Sequence, residues 1–411
     1  MRWPSSTWRM LRTGEPRRNS AGRASQRHCA GTPLPMPTSR WRARGCPEPE
    51  GSVNKPLPTI RSIQYIRGIA ALMVVWHHAP QQVPGLDHWF PVFLDEFGSS
   101  GVDLFFVLSG FIMAMTTRRS GVSPLGFMAR RILRVAPLYW LLTLLMVGCA
   151  LVLPSLFNTL VIAPDTLVKS LLFIPHYSAS FSGAIWPLLV PGWTLNYEMF
   201  FYLVFALCLC LPVRWRAVAL LVSMALLVGA NVFFGPFASA VASAYSSPIL
   251  LEFALGVIIG ELHAAGKLKV HGLVALAAVI LGCFILLARK HLPGAPYLPF
   301  AGAGLVIAGA LALPWANRSN RWLQTLGDAS YSIYLTHIFT LGALRVIWTR
   351  LNLLSPSLEA AGLWLLVSLI TCAVAGVLCY WWVEKPIGAL VSAGLKRMPS
   401  SGQPRLARDR R

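Results

Sequence analysis

Two ionisable side chains within one apolar stretch suggest acid–base chemistry. In the segment IRSIQYIRGIAALMVVWHHAP, Arg67 precedes His78 by 11 positions. At about 100° per residue, a helix returns His78 to within about 20° of the face of Arg67, about 16 Å along the axis, whereas His77 lies about 80° away. An imidazole is the side chain best suited to remove a proton from a hydroxyl at neutral pH. We therefore predict that His78 is a general base with Arg67 on its face; a hydrogen-bonded structural histidine is the alternative.

Two arginines open another apolar stretch, ARRILRVAPLYW. Arg131 and Arg134 are spaced i and i+3, so they share one face of a helix. Two fixed guanidinium groups on one face suit the oxygens of a phosphate. The alternative is that both side chains extend to lipid head groups. The pair favours an anionic ligand bound near the cytoplasmic end of the membrane.

Further polar residues interrupt other apolar stretches. Asp103 and Ser109 lie in GVDLFFVLSGF, Glu198 in WTLNYEMFFY, and His337 in GDASYSIYLTHIF. Ionisable groups inside a bilayer are functional candidates because they are costly unless they face protein or water. Glu198 either pairs with a basic residue or stays protonated. Ser109 is a possible acyl-enzyme nucleophile, but the sequence shows no activating neighbour beside it. The cysteines are scattered, without the paired spacing of a metal site, and no metal is predicted.

The elements that carry these residues are predicted to be membrane helices. Of the 411 residues, 55% are hydrophobic and only 12% are charged. Residues 135–164, 217–251 and 360–383 contain no Asp, Glu, Lys or Arg, and about 20 apolar residues suffice for one helical crossing. The sequence therefore predicts an all-α polytopic membrane protein. The ten predicted crossings are 62–80, 99–117, 132–153, 193–212, 217–234, 248–264, 270–288, 298–315, 330–349 and 359–383.

The basic residues are placed as expected for cytoplasmic segments. Lys plus Arg number 36 against 15 Asp plus Glu, a formal net charge of +21. Most of this charge lies in the two ends of the chain and in short loops on one side, which matches the positive-inside bias with both termini cytoplasmic and argues against nucleic-acid binding. We predict a disordered basic tail over 1–58, a membrane domain over 59–388 and a second basic tail over 389–411. Between 154 and 192 a long external connection contains an apolar stretch too short to span, which is either re-entrant or interfacial.

Six motifs, in order, resemble the acyltransferase family 3 integral membrane proteins. They are Arg67 and His78 with ten residues between them, GVDLFFVLSGF, the Arg131 and Arg134 pair, WTLNYE ending in Glu198, GDASYSIYLTHIF, and EKP at Glu384 to Pro386. The resemblance covers about residues 60 to 388. The segment SIQYIRGIAALMVVWHH resembles in particular the branch that acylates bacterial exopolysaccharides.

The resemblance implies a ten-helix domain of the bacterial inner membrane that transfers an acyl group, commonly acetyl, from cytoplasmic acyl-CoA to a sugar hydroxyl. The acceptor would be a surface or exported polysaccharide or its lipid-linked precursor. His78 would be the general base and Arg67 its partner on the same face, while Arg131 and Arg134 would hold the phosphates of the donor. No permanently bound cofactor is expected; the expected partners are acyl-CoA, the glycan acceptor and membrane lipid. The alternative from another class is a glycan or anion transporter or flippase, because intramembrane charges also mark translocation pathways.

Overall fold

The structure is a computed structural model that describes residues 60–83, 92–118, 123–153, 160–288, 298–353 and 357–397. Regular structure in these ranges is entirely helical. The α-helices are α1 (Arg61–His78), α2 (Val92–Ser99), α3 (Gly101–Thr117), α4 (Pro124–Val152), α5 (Pro164–Leu171), α6 (Trp193–Cys208), α7 (Val213–Phe234), α8 (Ala240–Ala244), α9 (Leu250–Ala264), α10 (Gly272–Ala288), α11 (Leu298–Ala312), α12 (Arg321–Asp328), α13 (Ser330–Arg350), α14 (Leu358–Cys379) and α15 (Lys385–Arg397).

A helix occupies each of the ten segments predicted to cross the membrane. Four helical stretches are long and apolar enough to cross by length and composition: Glu96–Thr117, Pro124–Val152, Val213–Phe234 and Leu358–Val391. Two shorter apolar helices are Gly272–Ala288 and Leu298–Ala312. The all-helical membrane character is confirmed, and the number of crossings stays a prediction.

The two predicted basic tails differ in how much of each the structure describes. The predicted tail over 1–58 lies outside the described residues. At the other end, α15 continues through Arg397, so the segment predicted as a tail from 389 begins inside a helix. Its last part, 398–411, also lies outside the described residues.

Helix α4 begins eight residues before the predicted crossing, and this moves its arginines into the body of a helix. Ser123 precedes the first turn, and its hydroxyl accepts a hydrogen bond from the backbone N–H of Gly126 at 3.1 Å. Pro124 stands at the first helical position, where its fixed φ suits the helix and its missing N–H costs nothing. Arg131 and Arg134 therefore lie in the second and third turns of a capped, 29-residue helix.

Close packing of α3 against α9 builds the centre of the described bundle. A Cβ atom at Gly256 would collide with the backbone of Val107, and one at Gly110 would collide with the backbone of Phe253. One at Gly260 would lie 2.7 Å from the Cβ of Ala114. Gly256 and Gly260 therefore let α9 approach α3 closely. This contact fixes α3, which carries Ser109.

The long connection between α4 and α6, which is predicted to be external, folds back onto α4 and then enters the bundle. Helix α5, with eight residues, is too short to span. The indole N–H of Trp140 donates to the carbonyl of Leu171 at 2.7 Å, and the hydroxyl of Tyr139 donates to that of Ser170 at 3.2 Å. The segment from Pro187 to Gly192 is mostly buried before α6 begins. The connection thereby contributes buried backbone to the interior.

A π-helical turn over Tyr380–Glu384 joins α14 to α15. Such turns insert one extra residue into a helix and occur frequently at functional sites. The turn ends at Glu384, whose side chain is buried. This carboxylate enters the site described next.

Candidate active site

A cavity of about 180 Å³ lies among α1, α3, α4, α6 and α13. Its polar wall consists of three guanidinium groups, one carboxylate and several hydroxyls, and its remaining wall is apolar. The polar lining residues are Arg67, Ser109, Arg131, Arg134, Thr194, Glu198, Tyr202, Tyr331 and Tyr334, and the apolar ones are Val102, Phe105, Phe106, Leu108, Ile112, Met113, Val135 and Leu195. The structure thus brings the three predicted arginines together with Ser109 and Glu198.

Arg67 reaches the cavity from the middle of α1. Its guanidinium donates to the side-chain oxygen of Gln64, one turn earlier, at 3.1 Å. Close approach of α12 to α1 fixes this part of the helix, because a Cβ atom at Gly68 would lie 2.9 Å from that of Leu326. Asp328, at the end of α12, does not line the cavity; burial raises the pKa of its carboxyl, and the charge of Arg67 opposes that rise.

Arg134 is held by an ion pair that joins α4 to the π-helical turn before α15. Its guanidinium donates to the carboxylate of Glu384 and lies 5.5 Å from the ring centre of Tyr331. Ser332 donates its hydroxyl to the other carboxylate oxygen of Glu384. The side chain of Arg134 nevertheless keeps 43% of its surface exposed. Its guanidinium is therefore oriented by a buried anion and still faces open space.

Arg131 has weaker restraints than Arg134. Its guanidinium lies over the rings of Phe127 and Tyr202, 5.5 and 5.8 Å from their centres, and reaches the hydroxyl of Thr116 at 3.5 Å. Its Nε atom is buried and has no hydrogen-bond partner among the described residues. The aromatic rings stabilise the positive charge of the guanidinium but do not accept hydrogen bonds from its N–H groups. Arg131 and Arg134 each donate from one guanidinium nitrogen to a described residue, so both keep further donors for an anion.

A hydrogen-bonded cluster connects α3 with α6. Ser109 donates to Glu198 at 3.0 Å, and Tyr202 donates to the same carboxylate oxygen. Glu198 therefore accepts hydrogen bonds from two hydroxyls, and the choice between a basic partner and a protonated carboxyl stays a prediction. Ser109 does have a carboxylate neighbour, which the sequence did not reveal. Asp103 is buried on the same helix as Ser109 but is not among the residues that line the cavity.

His78 lies beyond the cavity, in contact with another imidazole. Its ring centre is 5.0 Å from that of His337, which is completely buried. The ring of His337 is in turn 6.0 Å from that of Tyr334, which lines the cavity. Arg67 lines the cavity and His78 does not, because the ring of His78 lies against that of His337 on α13. His77 stands edge-on to His78, with ring centres 4.8 Å apart.

Helix α13 connects the cavity to the histidines through a single row of rings. Tyr331, Tyr334 and His337 are spaced by three residues, so each ring neighbours the next one turn along, and the row turns back by about 60° around the helix at each step. The hydroxyl of Tyr334 lies 2.9 Å from the carbonyl of Pro191, to which it donates, and 2.8 Å from the hydroxyl of Thr194. These bonds fix Tyr334 between the arginines and the imidazoles. We name this row the α13 ring row.

Sequence reasoning missed four residues of the site. Glu384 was noted only as part of EKP, and Tyr202, Tyr331 and Tyr334 were not assigned roles. The spacing of YSIYLTH, with rings three residues apart, was an available signal for the α13 ring row. Nothing local identifies the partner of Arg134, because Glu384 lies 250 residues away.

Over the described residues, the fold is a bundle with helices long and apolar enough to cross a membrane, and in its site three guanidinium groups line a cavity close to a pair of imidazoles. The chain belongs to the acyltransferase family whose model, Acyl_transf_3, described as an acyltransferase domain, matches residues 60–382. The protein is accordingly an acyltransferase. No solved structure matches the chain.

Several relatives point in the same direction. The exopolysaccharide production protein ExoZ of Rhizobium meliloti (strain 1021) is 39% identical over 295 residues, which are 71% of this chain and 89% of the relative. The acyltransferase MdmB of Streptomyces mycarofaciens is 29% identical over 394 residues, 85% and 96% of the two chains. Nodulation protein 10 of Rhizobium leguminosarum bv. viciae is 29% identical over 317 residues, 69% and 83% of the two chains.

Proposed function

We propose that the protein transfers an acyl group, acetyl in the first instance, from acyl-CoA to a sugar hydroxyl of a surface or exported polysaccharide or its lipid-linked precursor. The observation that carries this proposal is the cavity wall of three guanidinium groups, which the α13 ring row links to His78. The relative named for exopolysaccharide production supports a polysaccharide acceptor, and the acyltransferase domain supports the reaction class.

The donor enters on the arginine side. Phosphate oxygens of acyl-CoA accept hydrogen bonds from Arg131 and Arg134, which lie one turn apart on α4. A cavity of about 180 Å³ holds a small group, whereas whole ligands of drug size occupy about 300–1,000 Å³. Most of the coenzyme therefore stays outside, and the acyl end points inward toward Tyr334. This size favours a short acyl group.

The acceptor meets the acyl group at His78. The imidazole takes the proton of the sugar hydroxyl while the hydroxyl oxygen attacks the thioester carbonyl, and the C–S bond then breaks. The proton passes from the imidazolium to the departing thiolate, so the products are a sugar ester and free CoA. A positioned base contributes about 10²- to 10⁴-fold, and holding both substrates at one imidazole removes the entropic cost of their encounter.

We further propose the membrane arrangement that this reaction needs. The ten predicted helices cross the bacterial inner membrane with both termini in the cytoplasm, and residues 59–388 form the acyltransferase domain between two basic tails. Under this arrangement Arg131 and Arg134 face cytoplasmic acyl-CoA. The end of α1 that carries His78 faces the opposite side, where an exported glycan is available.

Radiolabelled acetyl-CoA tests the proposal. Membranes from cells that lack the gene, complemented with the parent protein or with His78→Ala, are incubated with the donor, and the polysaccharide is isolated. We expect alkali-labile label in the polymer with the parent protein only. Mass spectrometry of the polymer identifies the acyl group and the modified hydroxyl. If the parent protein changes the sidedness of the glycan without forming new ester, the transporter interpretation is correct.

A further inference from the structure

His337 stands against His78 without a role in the reaction described above. It is completely buried on α13, and the two ring centres are 5.0 Å apart. An imidazole ring places its nitrogens about 1 Å from its centre, so nitrogens of the two rings are within reach of a hydrogen bond after a small rotation. Two titratable groups this close affect each other when either gains a proton.

Hydrogen bonds to backbone carbonyls fix which nitrogen of each ring carries the proton. Nδ1 of His78 lies 2.9 Å from the carbonyl oxygen of Val74, and Nδ1 of His337 lies 2.6 Å from that of Tyr334. A carbonyl oxygen only accepts, so in both rings Nδ1 is the N–H donor. In the neutral form, Nε2 of each ring is therefore the atom with the lone pair.

The lone pair of His337 is enclosed in the bundle. Its Nε2 atom is buried and has no hydrogen-bond partner among the described residues. A buried acceptor without a donor is unfavourable, because it has given up its hydrogen bonds to water. Two neutral rings in these tautomers cannot bond through their Nε2 atoms, because both are acceptors. Such a bond forms only after one Nε2 gains a proton.

We propose that His337 is a positioning residue that accepts a hydrogen bond from His78 once His78 has taken the proton of the acceptor hydroxyl. The inference rests on the proposed function, because it concerns the base of that reaction. Nε2 of His78 gains the hydroxyl proton as the sugar oxygen bonds to the thioester carbonyl carbon. In the tetrahedral intermediate that results, this N–H turns to the lone pair of His337, and the proton then passes to the departing thiolate of CoA as the C–S bond breaks. The bond to His337 is absent in the substrate complex and present in the intermediate, so it stabilises the intermediate without tightening substrate binding.

Two substitutions at the same position separate this role from packing. In His337→Asn the amide stands near the position of Nδ1, so the bond to the Tyr334 carbonyl is kept and the Nε2 acceptor is lost. In His337→Gln the amide reaches the position of Nε2 and restores an acceptor there. A hydrogen bond to a charged group is worth about 10- to 100-fold in rate. We expect His337→Asn to lose that much of kcat with an unchanged KM for acetyl-CoA, and His337→Gln to recover most of it.

A matched control is available outside the site. His176 is also buried, its Nδ1 lies 2.8 Å from the carbonyl of Ile174, and its Nε2 has no partner among the described residues. It does not line the cavity. His176→Asn removes the same atoms from a similar setting, and we expect it to leave the acylation rate within about twofold of the parent.

Hydroxylamine distinguishes proton handling from folding. Hydroxylamine has a free lone pair with which it attacks the thioester, so no base has to remove a proton from it first. Transfer of the acetyl group to hydroxylamine should therefore depend less on the two imidazoles than transfer to the polysaccharide does. Each variant is assayed in one membrane preparation for label transfer to endogenous polysaccharide and for enzyme-dependent acetohydroxamate. The ratio of the two rates does not depend on how much protein is folded. We expect that ratio to fall about tenfold or more in His337→Asn and to recover in His337→Gln.

The outcomes separate the two proposals. If the parent protein transfers no label to polysaccharide, the proposed function is wrong. If the parent transfers label and His337→Asn retains its polysaccharide-to-hydroxamate ratio, the inference about His337 is wrong while the proposed function stands. A fall in the ratio that His337→Gln does not reverse also overturns it, because an acceptor at the Nε2 position would then not suffice.

Discussion

The arginine-lined cavity and the histidine pair are both polar regions within an apolar bundle, but they are stabilised differently. In the cavity, charged groups are held by other charged or hydroxyl groups, as with Arg134 and Glu384. The two imidazoles instead bond to carbonyls of their own helices. A fixed positive charge suits a charged ligand throughout the reaction, whereas a ring held in one tautomer suits a proton that arrives and leaves. The difference fits the proposed division of donor binding and proton transfer between the two regions.

The largest effect should come from removing the base. His78→Ala deletes the group that takes the proton, and the acylation rate should fall by about 10²- to 10⁴-fold while the KM for acetyl-CoA changes little. Label incorporation measured against acetyl-CoA concentration gives both values. A His78→Ala protein with parental ester content in its polysaccharide would remove the base assignment and the division between the two regions.

The arginines should show the reverse pattern. Arg131→Ala removes donors that no described residue uses fully, so the KM for acetyl-CoA should rise about 10- to 100-fold with a smaller change in kcat. Binding of acetyl-CoA to purified protein, measured by calorimetry, provides the direct comparison. Unchanged donor affinity in Arg131→Ala would contradict the phosphate assignment.

Arg134→Ala needs a companion substitution, because it leaves the buried carboxylate of Glu384 without its cation. Breaking a buried pair from one side costs about 3–5 kcal/mol of stability. We expect Arg134→Ala to lower both thermal stability and donor affinity. Adding Glu384→Gln should restore much of the stability but not the affinity. Recovery of affinity in the double variant would show that Arg134 only neutralises Glu384.

An intermediate effect is expected where the two regions meet. Tyr334→Phe keeps the ring of the α13 ring row and removes the hydroxyl that bonds to Pro191 and Thr194. The hydroxyl of Thr194 lies 3.1 Å from that carbonyl and can then donate to it instead of to Tyr334. One neutral hydrogen bond corresponds to about tenfold at most, and we expect a loss of kcat of that size or less. A donor KM raised as strongly as in Arg131→Ala would show that the regions are not separate.

The smallest effect is expected for the neighbouring histidine. His77 contacts His78 edge-on, but it is His78 that faces His337. His77→Ala should change the acylation rate by less than about threefold, within the range of substitutions away from specific features. Polysaccharide ester content in the His77→Ala and His78→Ala strains, compared at equal protein level, is the measurement. If His77→Ala lost more polysaccharide ester than His78→Ala, His77 and not His78 would be the base.

Local patterns in the chain predicted the helices and the grouping of arginines on α4. Apolar runs determine where helices form, and the i, i+3 spacing of Arg131 and Arg134 determines that they share a face. Such patterns do not predict which residues of different helices contact each other. Ser109 meets Glu198 across 89 positions, and Arg134 meets Glu384 across 250. Periodicity within a segment carries no information about which neighbour packs against it, so the turn of His78 toward α13 was not foreseen.

The π-helical turn before α15 makes this part of the chain unusually sensitive to length. One residue corresponds to roughly 100° of rotation about a helix axis. Deleting a single residue between Tyr380 and Glu384 would allow an uninterrupted α-helix, which forms more readily than a π-helical turn. The deletion would also rotate either Glu384 or the aromatic residues before it to another side of the helix. The segment should therefore tolerate many substitutions while rejecting insertions and deletions, and mutational scanning that includes single-codon deletions would expose that asymmetry.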